Sequence, residues 1–254
     1  MPPGLRIYAI GDIHGSSELL DRLFDEIADD LGRNPCDSVH FVFLGDYVDR
    51  GPDTKGVLDR LIEFGRNNSC TFLKGNHEEM LMSFLAAPTR GLGWLYAGGW
   101  NMLESYGINR MPEQTADLLT IAADLRAAMP DEHFAFLNAL EIAVVEGPYY
   151  FVHAGIRPGL PLAQQRVSDL LWIKDEFLNS EHRYEKIIVH GHTPVDRIHF
   201  GANRINVDTG AHRTGRLSCA VLGDSGPRGL STVPTMFGSE TLAKAWGRLR
   251  NRVA

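Results

Sequence analysis

Residues 5–15 read Leu-Arg-Ile-Tyr-Ala-Ile-Gly-Asp-Ile-His-Gly, a short apolar run that ends in a glycine-flanked Asp and His. The run 5–10 predicts a strand, and the segment 16–31 predicts a helix because its apolar residues fall on one face. In α/β sheets, functional side chains collect where a strand ends and the chain turns into the next helix. Asp12 and His14 therefore mark a candidate site.

Four further junctions of this kind follow along the chain. They are Gly45-Asp46-Tyr47-Val48-Asp49-Arg50-Gly51, Gly75-Asn76-His77-Glu78, His153-Ala154-Gly155 and Gly191-His192-Thr193. Each segment alone is typical of an ordinary turn, in which glycine permits a tight bend. Five of them in this order are very hard to obtain by chance. Together they indicate a phosphoester-cleaving site with two metal ions.

The rest of the chain alternates short apolar runs with longer amphipathic ones, which predicts α/β architecture. A second helix is predicted at 53–67, where apolar residues again share one face. Strands are predicted at 5–10, 38–44, 70–74, 141–146, 149–153, 187–190, 203–207 and 216–222. We expect a single domain that spans residues 1–254.

Between about 80 and 140 the alternation is interrupted, and helices are predicted near 113–128 and 131–140. We interpret this segment as a helical cap inserted into the domain. Trp94 and Tyr96 are expected to belong mainly to the cap's own small core. Cap residues that face the site could still select the substrate.

The C-terminal tail, about 224–254, is rich in Gly, Ser and Pro before a basic amphipathic helix predicted near 239–252. The charges of that helix are most simply interpreted as a solvated face.

Composition indicates a globular protein that does not bind nucleic acid. The chain of 254 residues is 44% hydrophobic and has a formal charge of -7, whereas a nucleic-acid surface normally needs a basic stripe. Cys36, Cys70 and Cys219 form no C-x-x-C pair and predict idle thiols in a reducing compartment. The sequence shows neither a signal-peptide pattern nor an apolar run of membrane-spanning length, so we expect a cytoplasmic protein without a membrane partner.

The polar residues at the five junctions offer carboxylate oxygen, amide oxygen and imidazole nitrogen, without thiolate. This donor set suits Mn, Fe or Zn in a catalytic site and does not choose among them. The candidate ligands are Asp12, His14, Asp46, Asn76, His153 and His192. The histidines expected to be satisfied core or surface residues are His40, His133, His182, His199 and His212.

The order and wording of these segments resemble the calcineurin-like metallophosphoesterase superfamily and, within it, the bacterial and phage-type phosphoprotein phosphatases. The resemblance runs from Leu5 to about Leu222. It implies a four-layer α/β/β/α sandwich with two divalent metal ions, Mn in the first place, at one edge of the central sheets.

The resemblance also assigns the ligands to the two metals. It implies that the first metal is held by Asp12, His14 and Asp46. It implies that the second is held by Asp46 as a bridge, Asn76, His153 and His192. On composition His190 is an alternative to His192, but the Gly-His-Thr wording selects His192 and leaves His190 as a strand residue.

A catalytic scheme follows from this resemblance. Two metals about 3.5–4 Å apart can share a bridging water, lower its pKa and orient an ester for in-line attack without a covalent phosphoenzyme. His77 is implied to be the general acid, with Asp49 holding its imidazole. Glu78 is the family's usual companion to this pair, although an exposed Glu that opens a helix is an equally good interpretation.

Three basic residues are candidates for binding the substrate phosphate. Arg50 can present two parallel donors to two phosphoryl oxygens. The relatives usually carry arginines where this sequence has Lys74 and Lys174, and lysine keeps the charge but loses the planar fork. For Lys174 a plain surface residue is an alternative interpretation.

The intact second motif and the Glu after Asn-His favour a Ser/Thr protein phosphatase, with phosphotyrosine as a further substrate. The substrate would be a phosphorylated protein or a small phosphoester. The main alternative is a symmetrical diadenosine tetraphosphatase, which would release two ADP. A third alternative is a non-catalytic metal- or phosphate-binding protein, but such a protein should lack a ligand or His77, and this sequence has them all.

Overall fold

The structure, a computed structural model, describes residues 1–232, so the helix predicted near 239–252 lies outside the described residues. Within this part the strands are β1 (Leu5–Ile10), β2 (Ser38–Phe43), β3 (Cys70–Phe72), β4 (Ala143–Glu146), β5 (Tyr149–Val152), β6 (Ile187–His190), β7 (His199–Phe200), β8 (Arg204–Asn206), β9 (Ser218–Leu222) and β10 (Arg228–Ser231). They form a first sheet in the order β10-β9-β1-β2-β3 and a second sheet in the order β4-β5-β6-β8-β7.

Helices cover the outer faces of the two sheets. They are α1 (Ser17–Arg33), α2 (Thr54–Asn67), α3 (Asn76–Ala86), α4 (Leu92–Trp94), α5 (Trp100–Ser105), α6 (Asp117–Ala128), α7 (Asp131–Asn138), α8 (Val167–Trp172), α9 (Asp175–Leu178) and α10 (Ala211–Thr214). A π-helical turn, Leu95–Gly99, joins α4 to α5, and 3-10 turns cover Pro88–Arg90 and Leu162–Gln164. Among residues 1–232, no helix combines the length and apolar character needed to cross a bilayer.

Alternating side chains along the strands create three apolar layers. Ile7 of β1 packs between the two sheets, whereas its neighbour Tyr8 packs towards α1 and α2. In the second sheet, Phe151 packs between the sheets and Val152 packs towards α8 and α9. The layers therefore follow the order helix, sheet, sheet, helix, which confirms the predicted α/β/β/α fold class.

The eight predicted strands are all present, and their ends differ from the prediction by up to two residues. Two strands were not predicted. β7 has two residues, too few for a periodic pattern, and β10 lies in the glycine-rich start of the tail. β10 forms because its backbone pairs antiparallel with β9, so tertiary contact overrides a weak local preference.

The segment predicted as a cap connects β3 to β4 through α3–α7 and is helical, as expected. Its aromatic residues differ from the prediction in two ways. Tyr96 is 77% exposed, so its assignment to a small core is wrong. Trp94 does pack in a core, stacked on Phe84 with ring centroids 4.6 Å apart, but its indole N–H also donates to Asp49 at 2.9 Å. The cap therefore contacts the candidate site directly.

A buried carboxylate fastens the edge strand β10 to the helix layer. Asp30 in α1 accepts hydrogen bonds from Nη2 of Arg228 (2.6 Å to each oxygen), from the Tyr8 hydroxyl (2.6 Å) and from the Asn34 amide (2.9 Å). Burial alone would raise the pKa of Asp30, but these donors, led by Arg228, hold that pKa below its ordinary value. The ionised side chain of Asp30 thus helps to hold β10 against the helix layer.

We expect Asp30→Asn to lower the free energy of unfolding by about 2 kcal/mol at neutral pH, because it removes a charge-assisted hydrogen bond. Since the folded-state pKa lies below the unfolded one, this stabilisation is present above the unfolded pKa and is lost as pH falls through the folded value. Urea unfolding followed by circular dichroism should therefore separate the two proteins at neutral pH and bring them together in acid. Asp29→Asn, one position earlier and exposed, is the control. A stability difference that stays constant down to acid pH would contradict this account.

Candidate metal centre

The carboxyl ends of the central strands meet at one edge of the sandwich. β1, β2 and β3 run parallel, and so do β5, β6 and β8. The loop after β1 donates from His14 N–H to the carbonyl of Asp46 in the loop after β2 (2.8 Å). The loop after β6 donates from Gly191 N–H to the carbonyl of His153 after β5 (2.8 Å). The six predicted ligands therefore share this edge.

Close packing of these loops explains two of the motif glycines. A Cβ atom on Gly75 would lie 2.1 Å from Oδ1 of Asp46, and one on Gly51 would lie 2.0 Å from the carbonyl oxygen of His14. Either atom would push the loops apart, so only glycine fits at these points.

Backbone strain is concentrated at the same edge. Among the described residues, the non-glycine residues with positive φ are His14 (44°), Asp46 (54°), Asp49 (70°), Arg50 (64°) and His192 (64°). Left-handed backbone costs residues with a Cβ about 1–2 kcal/mol each. It persists where surrounding contacts impose it, which is typical of functional sites.

Asp46 lies between two groups of possible metal ligands. Its Oδ2 is 3.4 Å from Nε2 of His14, and its Oδ1 is 3.4 Å from Nε2 of His153. His14, Asp46 and His77 place one donor atom each within 4.8 Å of one another, and Asp46, His153 and His192 do the same. Asp46 is the member common to both groups, which is the geometry that a bridging carboxylate requires.

The donor atoms of the second group fit a cation. The Nδ1–H of His153 is committed to the carbonyl of Leu44 (2.8 Å), so its Nε2 presents a lone pair. That atom lies 3.0 Å from Oδ1 of Asn76 and 3.2 Å from Nδ1 of His192. Burial lowers the pKa of both imidazoles, so both can be neutral ligands. Converging lone pairs of this kind call for a positive ion between them.

His192 rather than His190 belongs to this group. Nδ1 of His192 is 2.9 Å from Oδ1 of Asn76. His190 instead faces the ring of Phe177 inside an apolar cluster, and burial lowers its pKa to about 3. The structure therefore agrees with the choice made from the Gly-His-Thr wording.

The first group contains His77 where the ligand set implied by the resemblance has Asp12. His14 donates from Nδ1 to the carbonyl of Val48 (2.9 Å) and points Nε2 into the group, as a ligand should. Asp12 is buried beside it, and both its oxygens accept the backbone N–H of His192 (3.2 and 3.1 Å). Burial, followed by the charges of Asp208 and Asp46, raises the pKa of Asp12 well above its usual value. Carboxylates this close remain ionised together when a cation lies among them.

His77 forms a buried pair with Asp49. Nδ1 of His77 lies 2.6 Å from Oδ2 of Asp49, and the same oxygen accepts the indole N–H of Trp94. Burial alone would lower the pKa of His77, but the charges of Asp46 and Asp49 outweigh it and raise that pKa above its ordinary value. The bond to Asp49 thus holds the imidazole of His77 in one orientation, and the neighbouring carboxylates favour its protonated form.

Glu78 is fully buried, so its interpretation as an exposed residue is wrong, although it does begin a helix. Its Oε2 accepts the N–H groups of Gly75 (2.8 Å) and Asp46 (2.9 Å), and its Oε1 accepts those of Tyr47 (2.7 Å) and Val48 (3.1 Å). Burial and the charge of Asp46 raise the pKa of Glu78 to about 7, while the N–H donors favour the ionised form. Four donors around one carboxylate fix the loop after β2 on the start of α3.

The three predicted phosphate-binding residues lie in different surroundings. Arg50 is exposed at the rim of the first group, with Nη1 3.0 Å from Nε2 of His14 and Nε 3.4 Å from the carbonyl of Ala97. Lys174 is exposed, and its positive charge adds to the effect of burial in lowering the pKa of His192 in the second group. Lys74 is half-buried, and within the described chain its ammonium makes no hydrogen bond or ion pair, so only its position in the sequence supports a role.

The five motifs leave out two residues at this edge. Asp208 follows β8, and its Cβ lies 3.7 Å from the position of a Cβ built on Gly191. It stands in the segment Asp208-Thr209-Gly210, a strand-to-loop junction with the same glycine signal as the other five. His212 was expected to be an unremarkable core or surface residue, but its exposed ring lies edge-on to His14 with centroids 5.2 Å apart.

The remaining histidines match the expectation of satisfied residues. His133 bonds the hydroxyl of Tyr106 (2.6 Å) and Oδ1 of Asp59 (2.9 Å), and His40 bonds two hydroxyl groups. His182 and His199 are exposed.

We expect Glu78→Gln to lower the free energy of unfolding by about 2–4 kcal/mol, because the new amide NH₂ would face backbone donors and leave them unsatisfied. Thermal and urea unfolding measure this loss. Glu79→Gln is the matched control. Glu79 accepts the indole N–H of Trp172 (2.5 Å), and the amide of the variant still offers an oxygen for that bond. Equal stability of the two variants would show that the four-donor arrangement contributes little.

Comparison with known proteins finds a matching family and several similar phosphatases and tetraphosphatases. A model of the calcineurin-like phosphoesterase family matches residues 5–223. Serine/threonine-protein phosphatase 2 of Escherichia coli is 30% identical over 84% of this chain and 90% of its own. An asymmetrical bis(5'-nucleosyl)-tetraphosphatase of Anoxybacillus flavithermus is 27% identical over 82% of this chain and 87% of its own.

Solved structures agree with this at the level of the fold. The cold-active protein-tyrosine phosphatase of a Shewanella species superposes with a TM-score of 0.53 at 18% identity, over 88% of this chain and 78% of that one. The family match covers nine of the ten strands described, all but β10, and every loop that supplies a candidate ligand. The chain therefore belongs to the calcineurin-like phosphoesterase family.

Proposed function

We propose that this protein is a metal-dependent phosphomonoester hydrolase and, more specifically, a Ser/Thr protein phosphatase. The observation that carries the specific proposal is the buried pair of His77 and Asp49, held at 2.6 Å beside both ligand groups. An alkoxide from serine or threonine is a strongly basic leaving group, so its departure is slow unless an acid protonates it. A fixed imidazole whose protonated form is favoured by the neighbouring carboxylates meets that need.

The ligand groups fit two divalent ions, since oxygen and imidazole donors suit Mn, Fe and Zn alike. We propose Mn first, with Fe or Zn as alternatives. Asp12, His14 and Asp46 would hold the first ion, and Asp46, Asn76, His153 and His192 the second. When bound, the ions neutralise phosphoryl charge and make an attacking water more acidic.

Arg50 is positioned to orient the phosphoryl group. Its backbone N–H donates to the carbonyl of Gly98 (3.1 Å), and its Nε is near the carbonyl of Ala97, so the cap holds this residue at the rim. The remaining guanidinium N–H groups can bind two phosphoryl oxygens at once. Trp94, also from the cap, aims Asp49 and hence His77. The cap thus supports both binding and proton transfer.

A tetraphosphatase activity is the second candidate, because the similar proteins include bis(5'-nucleosyl)-tetraphosphatases of the asymmetrical and symmetrical kinds. Cleavage of a phosphoanhydride releases a nucleotide phosphate, which is a weaker base than an alkoxide and depends less on a general acid. A non-catalytic phosphate-binding role is the remote alternative, and the retention of every candidate ligand and of the acid argues against it.

The leaving group provides the test of the general acid. We expect His77→Asn to reduce kcat for a phosphoserine peptide by about 10²–10⁴-fold, and to reduce kcat for p-nitrophenyl phosphate, which has a far less basic leaving group, much less. Wild-type kcat/KM should also be higher for the phosphoserine peptide than for diadenosine tetraphosphate. His40→Asn, a histidine bonded only to hydroxyl groups, is the control. Faster cleavage of the tetraphosphate, or equal losses on both monoesters, would contradict the phosphatase proposal.

Metal content tests the roles of Asp12 and His77, which both border the first group. We expect Asp12→Asn to lose one of two bound Mn ions, and His77→Asn to keep both, as measured by elemental analysis after gel filtration. The reason is that Asp12 would be a ligand, whereas the charges of Asp46 and Asp49 favour the protonated imidazole of His77, which has no lone pair to offer a metal. If His77→Asn lost metal and Asp12→Asn retained both ions, His77 would be the metal ligand and Asp12 would not.

A further inference from the structure

The helix α10 brings two basic side chains to the rim of the first ligand group. His212 lies edge-on to His14, with ring centroids 5.2 Å apart, and Arg213 follows it. Both side chains are exposed. His212 therefore stands directly beside the first ligand group.

The position of α10 is fixed by the chain on both sides of it. Gly210 (φ 67°) and Gly215 (φ 68°) bracket the helix in left-handed conformations. The Thr214 hydroxyl donates to the carbonyl of Thr209 (2.8 Å), and Asp208 accepts the N–H of Gly210 (2.8 Å). These contacts hold the two basic residues in a defined place rather than on a free loop.

The same segment is packed against the first ligand loop. A Cβ atom on Gly11 would lie 2.7 Å from the carbonyl oxygen of Val207, so the two backbones are in contact. The distance from His212 to the ligand His14 is therefore set by the core of the sandwich.

Within the part of the chain that the structure describes, the two basic side chains lack a partner. Among residues 1–232, the guanidinium of Arg213 and the ring nitrogens of His212 make no hydrogen bond or ion pair. Burial raises the pKa of Asp208, and the charge of Arg213 partly offsets this rise. Asp208 is not a free partner for Arg213, because it is buried and already accepts a backbone N–H. Burial, followed by the charges of Arg50 and Arg213, lowers the pKa of His212 to about 4, so its ring is a neutral N–H donor between two guanidinium groups. In a chain of formal charge -7, an unpaired arginine and an unpaired imidazole N–H beside a phosphoester site point to an anionic ligand.

We propose that His212 and Arg213 bind a second phosphoryl group of the substrate, next to the one that is cleaved. The proposal rests on the proposed function, since it assumes that the cleaved phosphoryl group sits at the metal centre. The preferred substrates then carry two neighbouring phosphoryl groups. Under the proposed phosphatase function these are on adjacent side chains of a phosphorylated protein, whereas a phosphoanhydride is the source that the second candidate, the tetraphosphatase, would use.

Binding of small anions tests this without turnover. Calorimetry on the Mn-loaded protein would compare inorganic phosphate with methylenediphosphonate, a diphosphate analogue whose P–C–P bridge cannot be hydrolysed. We expect Arg213→Ala to weaken binding of the diphosphonate about tenfold, as loss of a charge-assisted hydrogen bond implies, and to leave phosphate binding unchanged. Arg183→Ala, an exposed arginine at the opposite edge, is the matched control and also corrects for withdrawal of Mn by the diphosphonate. An unchanged ratio of the two affinities in Arg213→Ala would overturn the proposal.

Turnover then distinguishes the two sources of the second phosphoryl group. Arg213→Ala and His212→Ala should raise KM for diadenosine tetraphosphate if the group is part of a phosphoanhydride. They should raise KM for a doubly phosphorylated peptide, relative to its singly phosphorylated form, if it is on a neighbouring side chain. KM values unchanged for both would exclude a role in substrate binding. Wild-type protein that hydrolyses no phosphoester would defeat the proposed function, whereas the ratio of anion affinities would still report on Arg213.

Discussion

The arrangement of the candidate metal centre depends on one buried carboxylate that is not among the candidate ligands. Glu78 accepts four backbone N–H groups, three from the loop after β2 and one from the start of α3. Those bonds hold Asp46 in the left-handed conformation that lets its two oxygens face opposite ligand groups. Without this anchor the loop would relax towards ordinary backbone geometry and the shared ligand would lose its position. The chemistry of the site is therefore built on backbone hydrogen bonding.

The cap acts on the site through two short connections. Its Trp94 indole bonds the carboxylate that orients His77, and its Ala97 and Gly98 carbonyls bind Arg50. The π-helical turn that contains these carbonyls places Gly98 at φ 126°, a conformation that side chains rarely adopt, and a Cβ there would meet Arg50 at 2.6 Å. The cap therefore contacts both Asp49 and Arg50, although it lies outside the strands that precede the candidate ligands.

Sequence reasoning succeeded where the structure depends on residue type at a fixed point in the chain. The ligand loops need glycine for close approach and Asp, Asn or His for their donors, so their wording is visible without a structure. The same signal at Asp208 marks a further junction at this edge. Other features depend on contacts between distant segments: β10 exists through pairing with β9 and the bond from Arg228 to Asp30, and Trp94 meets Asp49 across the fold. The burial of Glu78 was open for the same reason, since its partners are backbone groups of another loop.

The ligands of the candidate centre come from both sheets. Asp12, Asp46 and Asn76 follow strands of the first sheet, whereas His153 and His192 follow strands of the second. The bond from His192 N–H to Asp12 joins positions 180 residues apart. Ions bound here would join the two halves of the sandwich as a removable cross-link, and their binding free energy would add to the cohesion of the sheets. Metal supply would then govern how long the folded protein survives as well as how fast it works.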